Sequence, residues 1–451
     1  MAETEPEVLA HHYAEANLID RALGFWHRAA ERAAARLAYI EALGHIGQAM
    51  KLVATLPEGT DRDEWELSFL VIEGPSRMAL DGWDTPSAKL LYERARAAAE
   101  RLGRPVEVFR SIWGLWMGAH SSGQHIRARE LLREVFALLK QTTEPEYVVQ
   151  AHHAAGSQMV AEGEPHAALD HIDQLLSNYR VDVHGNHAFL YGAHDPACCS
   201  LGMRALSLMM LGQLEQALAE SSEALELSKR VGHQPSVSHT HLFRAELYII
   251  LNRPQDAEEH LDASMSLARK YSLAAYLNAA DLMHGLVRVK NGEIEAGIQQ
   301  SEAALETLKS VPSRRFHLPI RIGIVGLAKA GGGDRDGALA LFDAALEAAA
   351  TTGERWYEPE LLRFKADMLV ARSKQRSDEA EHCLRAAIAL AQRQKAKFWE
   401  LRASISLSRL WTDRGRRTEA HDLLAPVVEW FKEQPDSLDL KHATILLSDL
   451  A

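Results

Sequence analysis

A three-position pattern of small and large side chains recurs along the chain. A small residue is followed four positions later by a larger one and usually seven positions later by a second small one, as in Ala257, Leu261 and Ser264. Residues at this spacing share one face of a helix, so each occurrence predicts a helix that packs this face against a neighbour. The pattern begins at nine positions, spaced by about 40 residues in every interval but one: Ala88, Ala128, Ala168, Ala217, Ala257, Gly297, Ala338, Ala380 and Ala420.

A second series of small residues precedes many of these positions by about twelve residues. Its members are Gly156, Ala205, Ala245, Gly285, Gly326, Ala366 and Ser408. Because the side chains at a contact set the distance between helix axes, two small residues predict an antiparallel pair of closely packed helices. A repeated hairpin of this kind is the arrangement of the tetratricopeptide repeat, with a unit of about 40 residues here in place of about 34. We therefore predict an all-α, tetratricopeptide-like helical-repeat superhelix, or α-solenoid, of about ten hairpins.

The pattern also predicts how the chain is organised. No long linker rich in Gly, Ser or Pro interrupts it, so 1–451 is predicted to form a single solenoid. We expect N-terminal helices in 1–56, the hairpin repeats in 57–436 and a capping helix in 437–451, because the ends of a solenoid need a covered hydrophobic face. The one long interval, of about 49 residues, predicts a loop insertion near 178–199.

Composition and charge narrow the possible functions. The 451 residues are 47% hydrophobic and carry a formal net charge of −12, so the chain as a whole has no positive field that would hold nucleic acid. Three cysteines cannot form a disulfide framework. The sequence contains no run of about 18 apolar residues and no signal-like N-terminus. We therefore expect a soluble cytoplasmic protein that does not enter a membrane.

Several segments carry a resemblance to a known group of proteins. They are EPEVLAHHYAEANLIDRALGFWHRAAERA, WGLWMGAHSSGQHIRARELL, FLYGAHDPACCSLGMRALSLMMLGQLEQAL, TGERWYEPELLRFKADML and AKFWELRASISLSRLWTDRGRRTEAHDLLAPV. Nearly end to end, the chain resembles the C-terminal tetratricopeptide region of bacterial multidomain signalling proteins. In those proteins a class III adenylate/guanylate cyclase domain, or a DNA-binding domain, is joined to a predicted ATPase. The resemblance implies the sensor or scaffold part of such a protein.

The chain departs from these signalling proteins in one respect that matters for function. It contains no GxxxxGK[ST] motif, and the glycine-rich segment 331–337 has no lysine that could reach a phosphate. The cyclase part is absent as well. The chain is therefore either a fragment trimmed to the repeat array or a free-standing homologue of that array, and the activities of the upstream domains are not assigned to it.

The insertion is rich in possible metal ligands. Imidazole, carboxylate and thiolate groups are the usual ligands of transition metals, and the insertion contains His184, His187, His194, Asp195, Cys198 and Cys199. Their spacing fits no metal motif, however, and Asp195 followed by Pro196 is typical of a helix start. We predict a structural cap and no metal. The alternatives are a ligand or partner contact made by this loop, or a metal-dependent enzyme that uses 184–199.

A phased set of basic residues predicts a binding surface. Each member immediately precedes the small residue of a first helix, and equivalent positions of a solenoid line up along one surface. We call this set the basic stripe; it consists of Arg204, Arg244, His284 and Lys365. It would attract an acidic peptide or a phosphorylated ligand. The alternative is that each side chain packs its stem between helices and hydrogen-bonds a turn.

No arrangement of residues indicates catalysis. The sequence contains no G-x-S-x-G, no HExxH and no paired CxxC motif. We therefore predict a non-catalytic binding or regulatory module without a cofactor. Its expected partner is a protein or peptide segment or a small acidic effector, and a homo-oligomer is a further possibility.

Overall fold

The computed structural model describes residues 5–140, 144–191, 194–310, 317–432 and 437–450. Within these ranges the chain forms 24 α-helices and no β-strand, which confirms the predicted all-α, tetratricopeptide-like solenoid. Among the same residues, no helix is both long enough and apolar enough to cross a membrane.

The first half of the solenoid pairs its helices as hairpins. Its helices are α1 Pro6–Glu15, α2 Ile19–Ala35, α3 Tyr39–Val53, α4 Thr60–Asp81, α5 Pro86–Leu102, α6 Pro105–Ser121, α7 His125–Leu139, α8 Pro145–Glu162, α9 Pro165–Asn178, α10 Val181–His184, α11 His187–Tyr191, α12 Pro196–Met210 and α13 Leu214–Val231. Helix α2 pairs with α3, α4 with α5, α6 with α7, α8 with α9, and α12 with α13. Helix α1 packs on α2, as a short helix before the first hairpin.

The second half continues in the same way. Its helices are α14 Gln234–Ile250, α15 Pro254–Lys270, α16 Ala274–Lys290, α17 Ile294–Ser310, α18 Leu318–Gly331, α19 Arg335–Thr352, α20 Glu358–Arg372, α21 Ser377–Arg393, α22 Lys397–Asp413, α23 Arg417–Trp430 and α24 Leu438–Leu450. Five hairpins run from α14 to α23, and α24 packs on α22 and α23. The helix pairs therefore agree with the predicted number. The predicted boundary at 436 lies outside the described residues.

The small residues lie where the two helices of a hairpin meet. A Cβ atom added at Gly285 of α16 would lie 2.6 Å from the carbonyl oxygen of Gly297, and one added at Gly297 of α17 would lie 2.5 Å from the carbonyl oxygen of Gly285. Both positions are too crowded for a side chain, because a backbone carbonyl oxygen, which cannot easily move away, lies within 2.6 Å of each added Cβ. This confirms that the paired small residues allow close helix contact.

The insertion after α9 differs from the predicted loop. It contains the short helices α10 and α11, and His184, His187 and Tyr191 are buried. These side chains are large and partly apolar, so they contact the interior of the superhelix instead of extending into solvent. Tyr191, for example, packs edge-on against Trp113 at 4.9 Å between ring centroids.

Successive turns of the superhelix contact each other. The backbone N–H of Arg355 donates to the carbonyl oxygen of Ala161 at 2.7 Å, and Gln394 Nε2 donates to the carbonyl oxygen of Arg355 at 2.9 Å. Arg402 of α22 reaches the carbonyl oxygen of Ile250 on α14 at 2.8 Å. The inner surface, which the first helices of the hairpins line, is therefore closed in its middle part and does not form one open groove.

Candidate functional site

A cavity of about 220 Å³ lies on the inner surface near the C-terminal end of the solenoid. It is bordered by the ends of α14 and α16 and by α20, α22 and α24, so it exists only because two turns of the superhelix meet. Its charged lining residues are Lys290, Arg363, Arg402, Arg409, Glu360 and Asp439. We call it the cationic cavity, since four basic side chains face two carboxylates.

Glu360 is the anionic centre of this cavity. It is 1% exposed, and its carboxylate accepts hydrogen bonds from Arg363 Nε at 2.8 Å and from Arg402 Nη1 at 3.0 Å. Burial alone would raise the pKa of Glu360, but the two guanidinium groups outweigh burial and lower this pKa. Glu360 therefore stays ionised and holds both arginines in place. Asp439 on α24 accepts a further hydrogen bond from Arg402 Nη2 at 2.9 Å.

Arg363 also pairs with Asp367 at 2.7 Å, so three carboxylates lie near the four basic side chains and leave a positive surplus. Lys290 Nζ donates to Asn252 Oδ1 at 2.7 Å, and burial, followed by repulsion from Arg402, lowers the Lys290 pKa. The buried Nε–H of Arg402 has no hydrogen-bond partner among the described residues. Arg409 is exposed at the rim of the cavity. An anionic group in the cavity would offset the repulsion between Arg402 and Lys290.

A second, smaller pocket lies in the interior. It measures about 40 Å³, and Trp83, Phe243 and Tyr276 form part of its wall. Glu246 is fully enclosed there, 2.7 Å from Arg321; burial would raise its pKa, but Arg321 and then His317 outweigh burial and lower the pKa to about 2. A cavity of this size holds a few water molecules, so the pocket is too small for a peptide.

The basic stripe is placed between helices, where every member has a partner. Arg204 Nε donates to Glu220 at 3.0 Å, and Lys365 Nζ lies 2.7 Å from Asp343. Further contacts of Arg204, Arg244 and His284 also join a first helix to the second helix of the preceding or the same hairpin: Arg204 with Asp173; Arg244 with Ser221, Ser222 and His260; His284 with Asp262 and Gln300. Ligand binding at the stripe stays a prediction, and a ligand would have to compete with these partners.

The residues of the insertion separate into different surroundings. Asp195 is the predicted cap of α12, since its side chain accepts from the backbone N–H groups of Ala197 and Cys198. His184 Nδ1 accepts from the backbone N–H of Arg180 at 2.9 Å.

The other histidines of the insertion point into the interior. His187 Nδ1 lies 3.2 Å from Gln150 Nε2, and His194 stacks on His239 at 4.1 Å between ring centroids. His184 and His187 contact each other, with ring centroids 5.0 Å apart, but the structure does not bring His194 to them. His194 instead lies beside His153 of α8 and Cys199 of α12.

Sequence analysis did not identify the cavity residues or His153. Lys290, Arg363, Arg402 and Arg409 occupy positions that are not equivalent from repeat to repeat, so no phased pattern marks them. The one available signal was the density of charge in α20 and α22 on faces that a solenoid normally keeps apolar.

One family model and one curated relative match the chain. The model of the tetratricopeptide repeat matches residues 196–270, which identifies this part as a tetratricopeptide-repeat region. An uncharacterized protein of Rhizobium meliloti (strain 1021) is 26% identical over 417 residues, covering 90% of this chain and 39% of that protein. The chain thus spans about two-fifths of the length of the relative that it matches.

Three solved structures that resemble the chain are distant from it in sequence. A Rap protein complexed with competence and sporulation factor has a TM-score of 0.49 at 13% identity, covering 76% of this chain and 97% of that one. Yeast Tom70 has a TM-score of 0.37 at 11% identity, covering 100% and 96%. A signal transduction ATPase from Pyrococcus horikoshii with a tetratricopeptide-repeat sensor has a TM-score of 0.38 at 12% identity, covering 82% and 56%.

Proposed function

We propose that the chain is a non-catalytic binding module that holds an acidic segment of a protein partner, with an acidic side chain in the cationic cavity. Tetratricopeptide-like solenoids are binding scaffolds, because they offer a long surface and little chemistry. The observation that carries the proposal is the cavity of about 220 Å³ with four basic and two acidic side chains. Within the described residues, the basic stripe lines no such cavity, and its members pair with side chains between the helices.

The cavity suits an acidic group for two physical reasons. The basic side chains that line the cavity outnumber its carboxylates, so an acidic group there gains favourable charge interactions. Partial desolvation, followed by repulsion from Arg402, lowers the pKa of the exposed Lys290, so an anion between the two side chains would replace repulsion by attraction. A small acidic effector would satisfy the same groups. The test below distinguishes binding of such an effector from binding of an acidic peptide.

The test measures fluorescence anisotropy of a short glutamate-rich peptide, with the same peptide carrying Gln in place of Glu as the neutral probe. We expect the double variant Lys290→Met, Arg409→Gln to bind the acidic peptide about 5- to 30-fold more weakly than wild type, the effect of 1 to 2 kcal/mol. Inorganic phosphate in competition tests for a small effector. Equal binding by the cavity variant and the wild type would refute the proposal.

A matched control uses the basic stripe. The double variant Arg204→Gln, Arg244→Gln removes the same number of positive charges from positions between helices. It should bind the acidic peptide as the wild type does. If only this variant loses affinity, the acidic ligand binds at the stripe and the cavity is a structural feature.

We further propose that this module is the sensor part of a longer signalling protein. The relative from Rhizobium meliloti is more than twice as long as the region it shares with this chain, which is consistent with additional domains in such proteins. Binding in the cavity would then change the activity of a cyclase or ATPase domain in the same chain. Sequencing the gene upstream of the codon for Met1 tests this, since the proposal requires a P-loop or cyclase domain there.

A further inference from the structure

Three possible metal ligands meet in the interior, away from the cationic cavity. One ligand atom each of His153, His194 and Cys199 lies within 4.8 Å of the other two. The three residues come from α8, from the residues just before α12, and from α12 itself. They are 1%, 6% and 2% exposed, respectively, so solvent does not satisfy their polar atoms.

The ring nitrogens of the two histidines lack partners. Neither nitrogen of His194 has a hydrogen-bond partner among the described residues, nor does Nε2 of His153. Buried polar atoms normally have a partner. Imidazole nitrogens without one, next to a thiol, are suitable ligands for a metal ion.

Neighbouring groups hold the ligands in a suitable form. His153 Nδ1 lies 3.4 Å from Gln150 Oε1, so a proton on Nδ1 leaves the lone pair on Nε2 for an ion. Gln150 is itself held by His187. A hydrogen bond from the other ring nitrogen to such an acceptor is the usual support of a metal-binding histidine.

The ligands differ in what they must give up to bind an ion. A neutral imidazole binds through the lone pair of one ring nitrogen, whereas the thiol of Cys199 must lose its proton. Metal binding at this site therefore releases one proton.

We propose that His153, His194 and Cys199 form a binding site for a single transition-metal ion that prefers thiolate and imidazole ligands, with zinc(II) as its representative. On binding, the S–H bond of Cys199 breaks, a Zn–S bond forms and the proton passes to solvent, with no change of oxidation state. Three protein ligands leave a fourth position of the tetrahedral ion open.

The site connects three parts of the solenoid, namely α8, the segment between α11 and α12, and α12 itself. The repeat spacing changes at the segment between α11 and α12. An ion would therefore fix the insertion against the preceding hairpin. We expect it to raise thermal stability, since a ligand that binds only the folded chain stabilises it by mass action.

The experiment uses the full chain without a polyhistidine tag. Because the site is buried, the protein is refolded from denaturant with zinc, freed of excess metal, and analysed for bound zinc by mass spectrometry. We expect about one zinc ion per chain. The same refolding with cobalt(II) should give a thiolate-to-metal charge-transfer band, which reports sulfur ligation without any substitution.

Substitutions assign the ion to these residues. Cys199→Ser and His194→Gln should each lose the cobalt band or the bound zinc, and Gln150→Leu should weaken zinc binding about 10- to 100-fold. The matched control is Cys198→Ala, because the neighbouring Cys198 packs in a separate apolar cluster with Leu175 and Leu201. It should keep the zinc.

Two results would overturn the proposal. One is wild-type protein that refolds with a normal circular dichroism spectrum and holds no zinc and no cobalt. The other is Cys199→Ser protein that binds zinc as tightly as Cys198→Ala. Neither result affects the cationic cavity, which shares no residue with this site, so the two proposals fail independently.

Discussion

The basic stripe and the cationic cavity contain the same kinds of side chain in opposite situations. The stripe recurs with the repeat, and each of its members joins neighbouring helices through a carboxylate, hydroxyl, amide or imidazole partner. The cavity residues occupy positions that do not recur, and their positive charge exceeds the nearby negative charge. The comparison indicates that a periodic charge in a solenoid serves the packing of its own repeat, whereas an aperiodic cluster is the better candidate for a site.

The largest expected loss of stability follows from removing the carboxylate at the centre of the cavity. Glu360→Ala would leave Arg363 and Arg402 buried without their shared carboxylate, and loss of one partner of a buried ion pair costs about 3 to 5 kcal/mol. Urea denaturation should show this loss in the free energy of unfolding. Glu358→Ala, which removes only the pair with the half-exposed Arg355, should cost about 0.2 to 1 kcal/mol. Equal effects of the two substitutions would mean that Glu360 is not the centre of the cluster.

The next effect concerns the periodic part of the molecule. Gly285→Ala places a Cβ 2.6 Å from the carbonyl oxygen of Gly297, and such overpacking should lower the free energy of unfolding by about 1 to 3 kcal/mol. Gly47→Ala is the control, because nothing lies within 4 Å of its added Cβ and alanine favours a helix by up to about 1 kcal/mol. Thermal midpoints that move in the same direction for both variants would contradict the assigned helix contact.

These two predictions differ in how far the sequence supports them. The spacing of Gly285 and Gly297 is local, so the sequence predicts the contact between their helices. The cluster around Glu360 is not local, because Arg402 reaches it from another repeat and also contacts Ile250. The small rotation between repeats decides which residues of different turns meet, and no short pattern in the sequence reveals that rotation.

A pH-dependent effect tests His260, which accepts a hydrogen bond from the stripe residue Arg244. Burial, followed by repulsion from His260, lowers the pKa of His241 to about 4. Burial, followed by repulsion from Arg244, lowers the pKa of His260 to about 4. The unfolded chain takes up protons near pH 6.5 while the folded chain does not, so stability should fall as the pH decreases from about 6.5 to 4. A pKa difference of one between the two states corresponds to about 1.4 kcal/mol.

The variant His260→Gln isolates this contribution. Its amide oxygen can still accept from Arg244, which donates to His260 Nε2 at 2.9 Å in the wild type, but it does not titrate. The difference in unfolding free energy between variant and wild type should therefore change with pH in favour of the variant at low pH. A difference that is the same at pH 7 and pH 4.5 would contradict the lowered pKa of His260.

The candidate sites were predictable only in part. The cap formed by Asp195 follows from two adjacent residues, and the sequence predicts it correctly. His194 was a candidate ligand, but its neighbours His153 and Cys199 lie on two different helices, and the paired histidines 152 and 153 resemble ordinary residues of an amphipathic helix. Contacts made through the interior require the course of the whole insertion, which the change in spacing locates but does not describe.

The smallest expected effect is at the edge of the stripe. Lys365→Met removes one ion pair with the half-exposed Asp343, and exposed pairs of this kind contribute about 0.2 to 1 kcal/mol. The loss should shrink further in concentrated salt, which screens exposed charges. An effect as large as that of Glu360→Ala would mean that the stripe and the cavity are not as different as their surroundings indicate.

The contact between turns also determines when the chain can finish folding during its synthesis. The carbonyl oxygen of Ile250 and the guanidinium of Arg402 are 152 residues apart in sequence. At about 5 to 20 residues per second, a ribosome needs roughly 8 to 30 s after adding Ile250 to reach Arg402. During this interval the inner faces of the earlier repeats lack their partners, and a nascent chain stalled between the two positions should be more sensitive to protease there than the released protein.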